Sequence, residues 1–267
     1  MSNPLPPPLR PPNSLFKYLL LGFLFVGLLA LGVFGLAVRR YLQQRNLRIQ
    51  DSQIALRKDI RITLVEGLRR EEMAAQLAAA GVCEYQEFLS ATETLEGYLF
   101  PDTYRFFPKT PATEVAAALY QNFQEKTGGL NLTKDQLILA SILEREAKTD
   151  DERYLIAGVY TNRLVSGTTL DADPTVQYGK ESLAYSQTLT PENFKFWQPI
   201  TQADYRSVKS IYNTYEQPGL PPTPIANPGK KSILAAQSPT NHAYFYFLHR
   251  DGKLFLSKTL TEHINKQ

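Results

Sequence analysis

TKDQLILASILEREAK, residues 133–148, is the stretch from which the rest of the chain can be placed. Thr133 followed by Gln136 is a capping-box pattern, in which each residue's side chain satisfies a backbone donor of the other at a helix start. Leu139, Ile142 and Leu143 then recur at helical spacing and form an apolar stripe. Glu146 lies seven, four and three residues beyond them, which at about 100° per residue puts it on the same face. Glu144 is about 200° around the helix from Glu146, nearer Ala140 and Ser141, and can turn away. A carboxyl held against apolar groups resists ionisation, because desolvation penalises its charged form. A glutamate that stays protonated near neutral pH can donate a proton to a leaving oxygen, as glycosidic cleavage requires. The plain structural alternative is a helix-end glutamate that reaches solvent or pairs with Arg145, Lys148 or Arg153.

Working outward, Thr149 and Glu152 repeat the capping pattern before a further helix to about Val165. Upstream, residues 60–65 (IRITLV) alternate and are β-branched, which predicts a strand. Residues 70–80 (REEMAAQLAAA) predict a helix with Gly81 as its C-terminal cap. Residues 88–107 are aromatic and turn-rich, and 113–127 predict a helix ended by Gly128 and Gly129. Residues 171–228 are dense in Pro, Tyr, Asn and Gly and are expected to be mostly ordered loop. Residues 244–248 and 254–256 flank Arg250-Asp251-Gly252, a hairpin signal. Helices and strands are segregated rather than alternating, so the expected fold class is α+β.

The N-terminal region differs from the rest. Residues 1–12 are proline-rich and read as an extended tail. Residues 18–38 (YLLLGFLFVGLLALGVFGLAV) carry no charge and are long enough for a membrane-spanning helix. A signal-peptide core is shorter, roughly 7–15 residues, and Gly35-Leu36-Ala37 is a poor cleavage site, so an uncleaved anchor is expected. Residues 39–59 read as a juxtamembrane helix or stalk, and 60–267 as the folded domain. Arg10 and Lys17 precede the span while Arg39, Arg40, Arg45 and Arg48 follow it. That charge bias favours a cytoplasmic C-terminal part, although large domains can translocate against it.

Composition narrows the function classes. At 43% hydrophobic and 21% charged the chain is ordinarily globular, and a net charge of +3 with no dense basic stripe gives no reason to expect nucleic acid. The one cysteine, Cys83, allows no intrachain disulfide and reads as a core thiol. His242, His249 and His263 lack metal-ligand spacing, so no metal or other cofactor is expected. Three further segments could carry chemistry. LDADPTVQYG (170–179) offers two acids with Gln177 and Tyr178, or simply a turn at Asp-Pro. SIYNTYEQPGLPPTPIANPG (210–229) offers Tyr212, Asn213 and Tyr215 on a loop stiffened by proline, suited to stacking on sugars. LEGYLFPDTYRF (95–106) is aromatic, with Asp102 as a turn cap.

Taken together, LVEG (64–67), EGYLFPDTYRF (96–106), ASILEREA (140–147), VYTNRL (159–164), DADPTVQYG (171–179), YNTYEQPGLPPTPIANPG (212–229) and AYFYF (243–247) resemble the endolytic murein transglycosylase family, also called YceG-like. The motifs occur in the family's order over residues 60–267. The resemblance implies a single-pass protein of the inner (plasma) membrane with a cytoplasmic tail at 1–17 and an extracytoplasmic catalytic domain. It implies a lytic transglycosylase, a carbon–oxygen lyase acting on the peptidoglycan glycan strand. Cleavage of the β-1,4 bond between N-acetylmuramic acid and N-acetylglucosamine would leave 1,6-anhydro ends and terminate strand elongation, in company with peptidoglycan synthases. The second acid of the family's E-K/R-E motif falls on Glu146, the residue that the helical face selects. Glu144, Asp173, Gln177, Tyr178, Tyr212, Asn213 and Tyr215 would then be substrate-binding or positioning residues. One departure is that the LysM-like module usual between the span and the LVEG strand is largely missing. Two other functions stay open: a membrane-tethered glycan-binding protein without activity, and a muramidase-type hydrolase using Glu146 with Asp171 or Asp173.

Overall fold

The computed structural model describes residues 14–55, 58–188 and 191–266, in two compact units that divide between Lys58 and Asp59. The first unit contains helix α1 (Ser14–Ala55). Its stretch Leu21–Asn46 is long and apolar enough to cross a bilayer. Phe23, Leu28 and Phe34 on it are exposed, and a helix with outward-facing apolar side chains calls for apolar surroundings. The helix continues through the polar stretch after Val38 to Ala55, and the first strand begins at Ile60, which leaves no room for a folded module between them. The proline-rich segment 1–12 lies outside the described residues.

The second unit mixes helices with two small antiparallel sheets, so the α+β expectation holds for it. Strand β1 (Ile60–Thr63) pairs with β2 (Thr103–Phe106), Ile60 opposite Phe106. Between them lie α2 (Arg70–Ala79) and α3 (Tyr85–Ala91), and α4 (Ala112–Thr127) follows. These elements enclose one apolar core around Met73, Leu77, Phe88, Leu99, Val115 and Leu119. A second core is built by α5 (Lys134–Glu146), α6 (Asp150–Ser166), α7 (Asp173–Tyr185) and α9 (Lys230–Gln237), around Ile142, Leu143, Ile156, Tyr160 and Ile233. The short α8 spans Asp204–Ser207. Strands β3 (Tyr246–Arg250) and β4 (Lys253–Ser257) form the expected hairpin, and α10 (Leu260–Ile264) ends the fold. Asp251 and Gly252 both have positive φ, 50° and 72°, as the tight turn between right-twisted strands demands.

Both capping boxes form: Gln136 N–H donates to Thr133 Oγ1 at 3.2 Å, and Glu152 N–H to Thr149 Oγ1 at 3.3 Å. One expectation needs correcting. Residues 173–185 are a helix, not loop; Pro174 sits in the first turn, where its missing N–H costs nothing, and Asp173 favours the positive helix start. The stretch 88–107 is turn-rich between the end of α3 and β2, and its aromatics divide between the cores, Phe88, Tyr104 and Phe106 in the first and Tyr98 and Phe100 in the second.

The motifs LVEG, EGYLFP and IANPG meet at Asn227, which is fully buried. Its Oδ1 accepts from Gly97 N–H at 2.9 Å and Leu99 N–H at 3.0 Å. Its Nδ2 donates to Leu68 O at 3.0 Å and Glu96 Oε1 at 2.7 Å. Gly97 has φ +88°, and a Cβ there would come within 2.5 Å of the Pro224 ring, so these loops can close only on glycine. The aromatic stretch 95–106 is therefore a structural junction between the two cores.

Candidate active site

Helix α5 ends at Glu146 because Ala147 turns to extended backbone, φ −81° and ψ 138°. The stripe that carries Glu146 is buried as expected: Leu139, Ile142 and Leu143 are at most 5% exposed. Glu146 opens onto a cavity of about 400 Å³ lined also by Arg163, Asp171, Asp173, Tyr205 and Tyr215. Burial pushes its carboxyl up to about 7, opposed by a hydrogen bond from Tyr160 and reinforced by the charge of Asp173. Tyr160, itself 1% exposed, donates its hydroxyl proton to Glu146 Oε1 at 2.9 Å.

The rest of the cavity is built by α7, the short α8 and the loop 208–215 that follows it. Asp173, first residue of α7, accepts from the Tyr215 hydroxyl at 2.7 Å. Tyr205 stacks on Tyr215 with ring centres 4.1 Å apart and planes within 11°. Asp171 has φ +51° and accepts from Arg163 Nη1 at 2.8 Å and from the Thr169 hydroxyl at 2.8 Å. That pairing holds an otherwise unfavourable backbone at the cavity edge. Arg163 also donates to Phe245 O, and Asn162 to His242 O and Tyr244 O, so α6 pins the hairpin whose Tyr246 and Phe247 line the cavity. Gly158 permits this approach, since a Cβ there would come within 2.2 Å of Thr240 O.

Of the residues singled out from sequence, Glu146, Asp171, Asp173 and Tyr215 share the cavity. Glu144 does not line it. Its side chain, 5% exposed, accepts from Gly229 N–H at 2.9 Å and Ser232 Oγ at 2.8 Å at the start of α9, and from Arg153 at 3.1 Å. Asn213 is fully buried and donates to Tyr205 O and Val208 O, while its Oδ1 accepts from Tyr215 N–H. It shapes the loop that presents both tyrosines. Tyr178 is buried against Tyr212, and Arg69 lies 4.1 Å above its ring. The Tyr212 hydroxyl is engaged with Thr223, and Gln177 donates to Gln198 O. Tyr160 and Tyr205 were not singled out. Tyr160 carries a legible signal, four residues after Ile156 and three before Arg163 on one face of α6. Tyr205 carries none, because its role depends on a loop closing. Among the described residues no cluster of three or more His, Cys, Asp or Glu could hold a metal ion.

A larger open groove of about 610 Å³, lined by Leu139, Leu164, Leu220 and Pro221 among others, offers no buried acid. The smaller cavity is where a carboxyl of raised pKa, a second acid and an aromatic wall converge.

The profile of the YceG-like family matches residues 32–267. A protein of Bacillus subtilis named endolytic murein transglycosylase is 35% identical over 183 residues, 63% of this chain and 46% of that protein. One of the same name from Streptococcus pneumoniae is 28% identical over 190 residues, 65% of this chain and 33% of that protein. The chain thus spans less than half the length of these curated relatives. A crystal structure of a YceG-like protein from Listeria monocytogenes superposes with a TM-score of 0.62 at 27% identity, covering 78% of this chain and 76% of that one.

Proposed function

The chain belongs to the YceG-like family, and from that premise we propose that it is a membrane-anchored lytic transglycosylase that cuts peptidoglycan glycan strands internally. The observation that carries this is Glu146: an acid pushed up to about 7, hydrogen-bonded by a buried tyrosine and opening onto a cavity with an aromatic wall. Protonated Glu146 gives its proton to the bridging oxygen as the bond from muramic C1 breaks through an oxocarbenium-like state. The resulting carboxylate takes the proton of the C6 hydroxyl as O6 bonds to C1. Glu146 is left protonated again and the product carries a 1,6-anhydro ring; no water is consumed. Asp173 and Tyr215 position the sugar, and Tyr160 holds the carboxyl in register through both halves.

Under this proposal the apolar part of α1 spans the plasma membrane, with residues 60–267 on the wall side near peptidoglycan synthases. Residues 1–17 would form a cytoplasmic tail. Protease accessibility in intact spheroplasts tests the orientation; protection of the domain would reverse it.

Asp173 in the same cavity favours one rival, a hydrolase in which a second acid activates water. Mass spectrometry of products from purified strands separates the two, since anhydro ends lack one water relative to reducing ends. Anhydro products that vanish in Glu146→Gln are expected. Predominantly reducing ends would replace the mechanism, and no cleavage by the parent protein would leave a glycan-binding protein.

A further inference from the structure

Arg145, the middle residue of the E-R-E motif, takes no part in the cavity around Glu146. Its guanidinium carbon sits over the ring of Trp197, 4.0 Å from the centroid. Trp197 is held for this in two ways. Its backbone adopts φ +63°, a region costly for a bulky residue, and its Nε1–H donates to Glu72 Oε2 at 2.9 Å. The Arg145 side chain also packs against Gly67, where a Cβ would meet Nη1 at 3.2 Å.

The guanidinium is nevertheless without a counter-charge among the described residues: no carboxylate lies within ion-pair distance of it. The three acids that act on it electrostatically, Glu72, Glu144 and Glu181, are engaged elsewhere. Glu72 accepts from Trp197 and from Arg69 N–H, Glu144 from Gly229, Ser232 and Arg153, and Glu181 from Gln198 N–H. Desolvation lowers the pKa of Arg145 and outweighs the raising charges of Glu72, Glu144 and Glu181. Arginine keeps its charge throughout the physiological range, and stacking leaves the edges of the fork free for two parallel hydrogen bonds.

We infer that Arg145, pre-set on Trp197, is a subsite for an oxyanion carried by the glycan strand, one residue along α5 from the proton donor. This rests on the proposed action on glycan strands. The chemistry fits a carboxylate of the stem peptide; a phosphate at the lipid-linked end of a growing strand presents the same face.

Trp197 is the sole tryptophan of the chain, so its fluorescence reports on the subsite directly. The experiment uses the full chain carrying Glu146→Gln, which binds without turnover, with and without Arg145→Ala. It is titrated with strands bearing stem peptides, with peptide-stripped strands, and with stripped strands ending in lipid pyrophosphate. Arg145→Ala is expected to weaken binding of stem-bearing strands about tenfold or more, the size of a lost charge-assisted pair, and to leave stripped strands unchanged. Arg145→Lys, which keeps charge without the fork, should lose part of that and serves as the control should the alanine variant fold poorly. A loss confined to pyrophosphate-ended strands moves the anion to the growing end. Equal affinity of parent and both variants for all three ligands overturns the subsite. Because the readout is binding, absence of cleavage by the wild-type chain would remove the enzymatic proposal and leave this result standing.

Discussion

The Tyr160 hydroxyl donates to Glu146 Oε1 at 2.9 Å across the turn that joins α5 to α6. The bond stabilises the ionised carboxylate and works against the burial that raises its pKa. Tyr160→Phe removes the donor without changing the ring's packing. The Glu146 pKa should then rise, moving the alkaline limb of kcat/KM upward by about one pH unit, with a fall in rate from lost orientation. A pH–rate profile that keeps its limb near 7 would separate the tyrosine from the acid.

Glu146→Gln removes a titrating proton but keeps the shape of the side chain. Cleavage should drop about 10³-fold or more. The stability consequence has a definite sign. The folded pKa, about 7, lies above the ordinary 4.5, so what Glu146 contributes to stability is fully present below about pH 4.5 and is lost as pH rises through 7. Relative to the parent, the glutamine variant should therefore gain melting temperature from about pH 4.5 to pH 7 and hold that gain above it. A constant offset across that window means that Glu146 is ionised and solvated in the folded protein.

Glu144→Gln should behave differently. It keeps acceptor oxygen for Gly229 and Ser232 but loses the ionic half of the Arg153 pair, 3.1 Å apart at 5% and 11% exposure. We expect a stability loss of about 1–3 kcal/mol, with activity partly retained in folded protein. Chemical denaturation alongside the product assay checks it; an activity loss equal to that of Glu146→Gln with unchanged stability would place Glu144 in the chemistry.

Asn227→Ala should cost about 3 kcal/mol or more, since it strips partners from the buried Gly97 and Leu99 N–H groups and from Glu96 at one stroke. The loss should appear in denaturant midpoint, while kcat per folded molecule changes little. A variant as stable as the parent contradicts the junction.

The capping boxes at Thr133 and Thr149, the apolar stripe leading to Glu146 and the turn at Asp251-Gly252 were legible because each depends on neighbours in the chain. Helix α7 was not, since Pro174 has opposite meanings in a turn and in a first helical turn, and only packing chooses between them. Among the expected ligand-facing residues, Asn213 and Tyr178 were assigned by residue type, yet their side chains are spent on the loop and on Arg69.

What sequence alone determined about this protein is the helix that carries Glu146 and the face on which it sits, because helical periodicity is a local property. Only the tertiary structure decided which groups meet that carboxyl: Tyr160 from α6, Asp173 from α7, and the stacked Tyr205 of α8 and Tyr215 of the loop after it. The pKa of an acid depends on what burial and charge surround it in space, and those neighbours come from segments tens of residues apart.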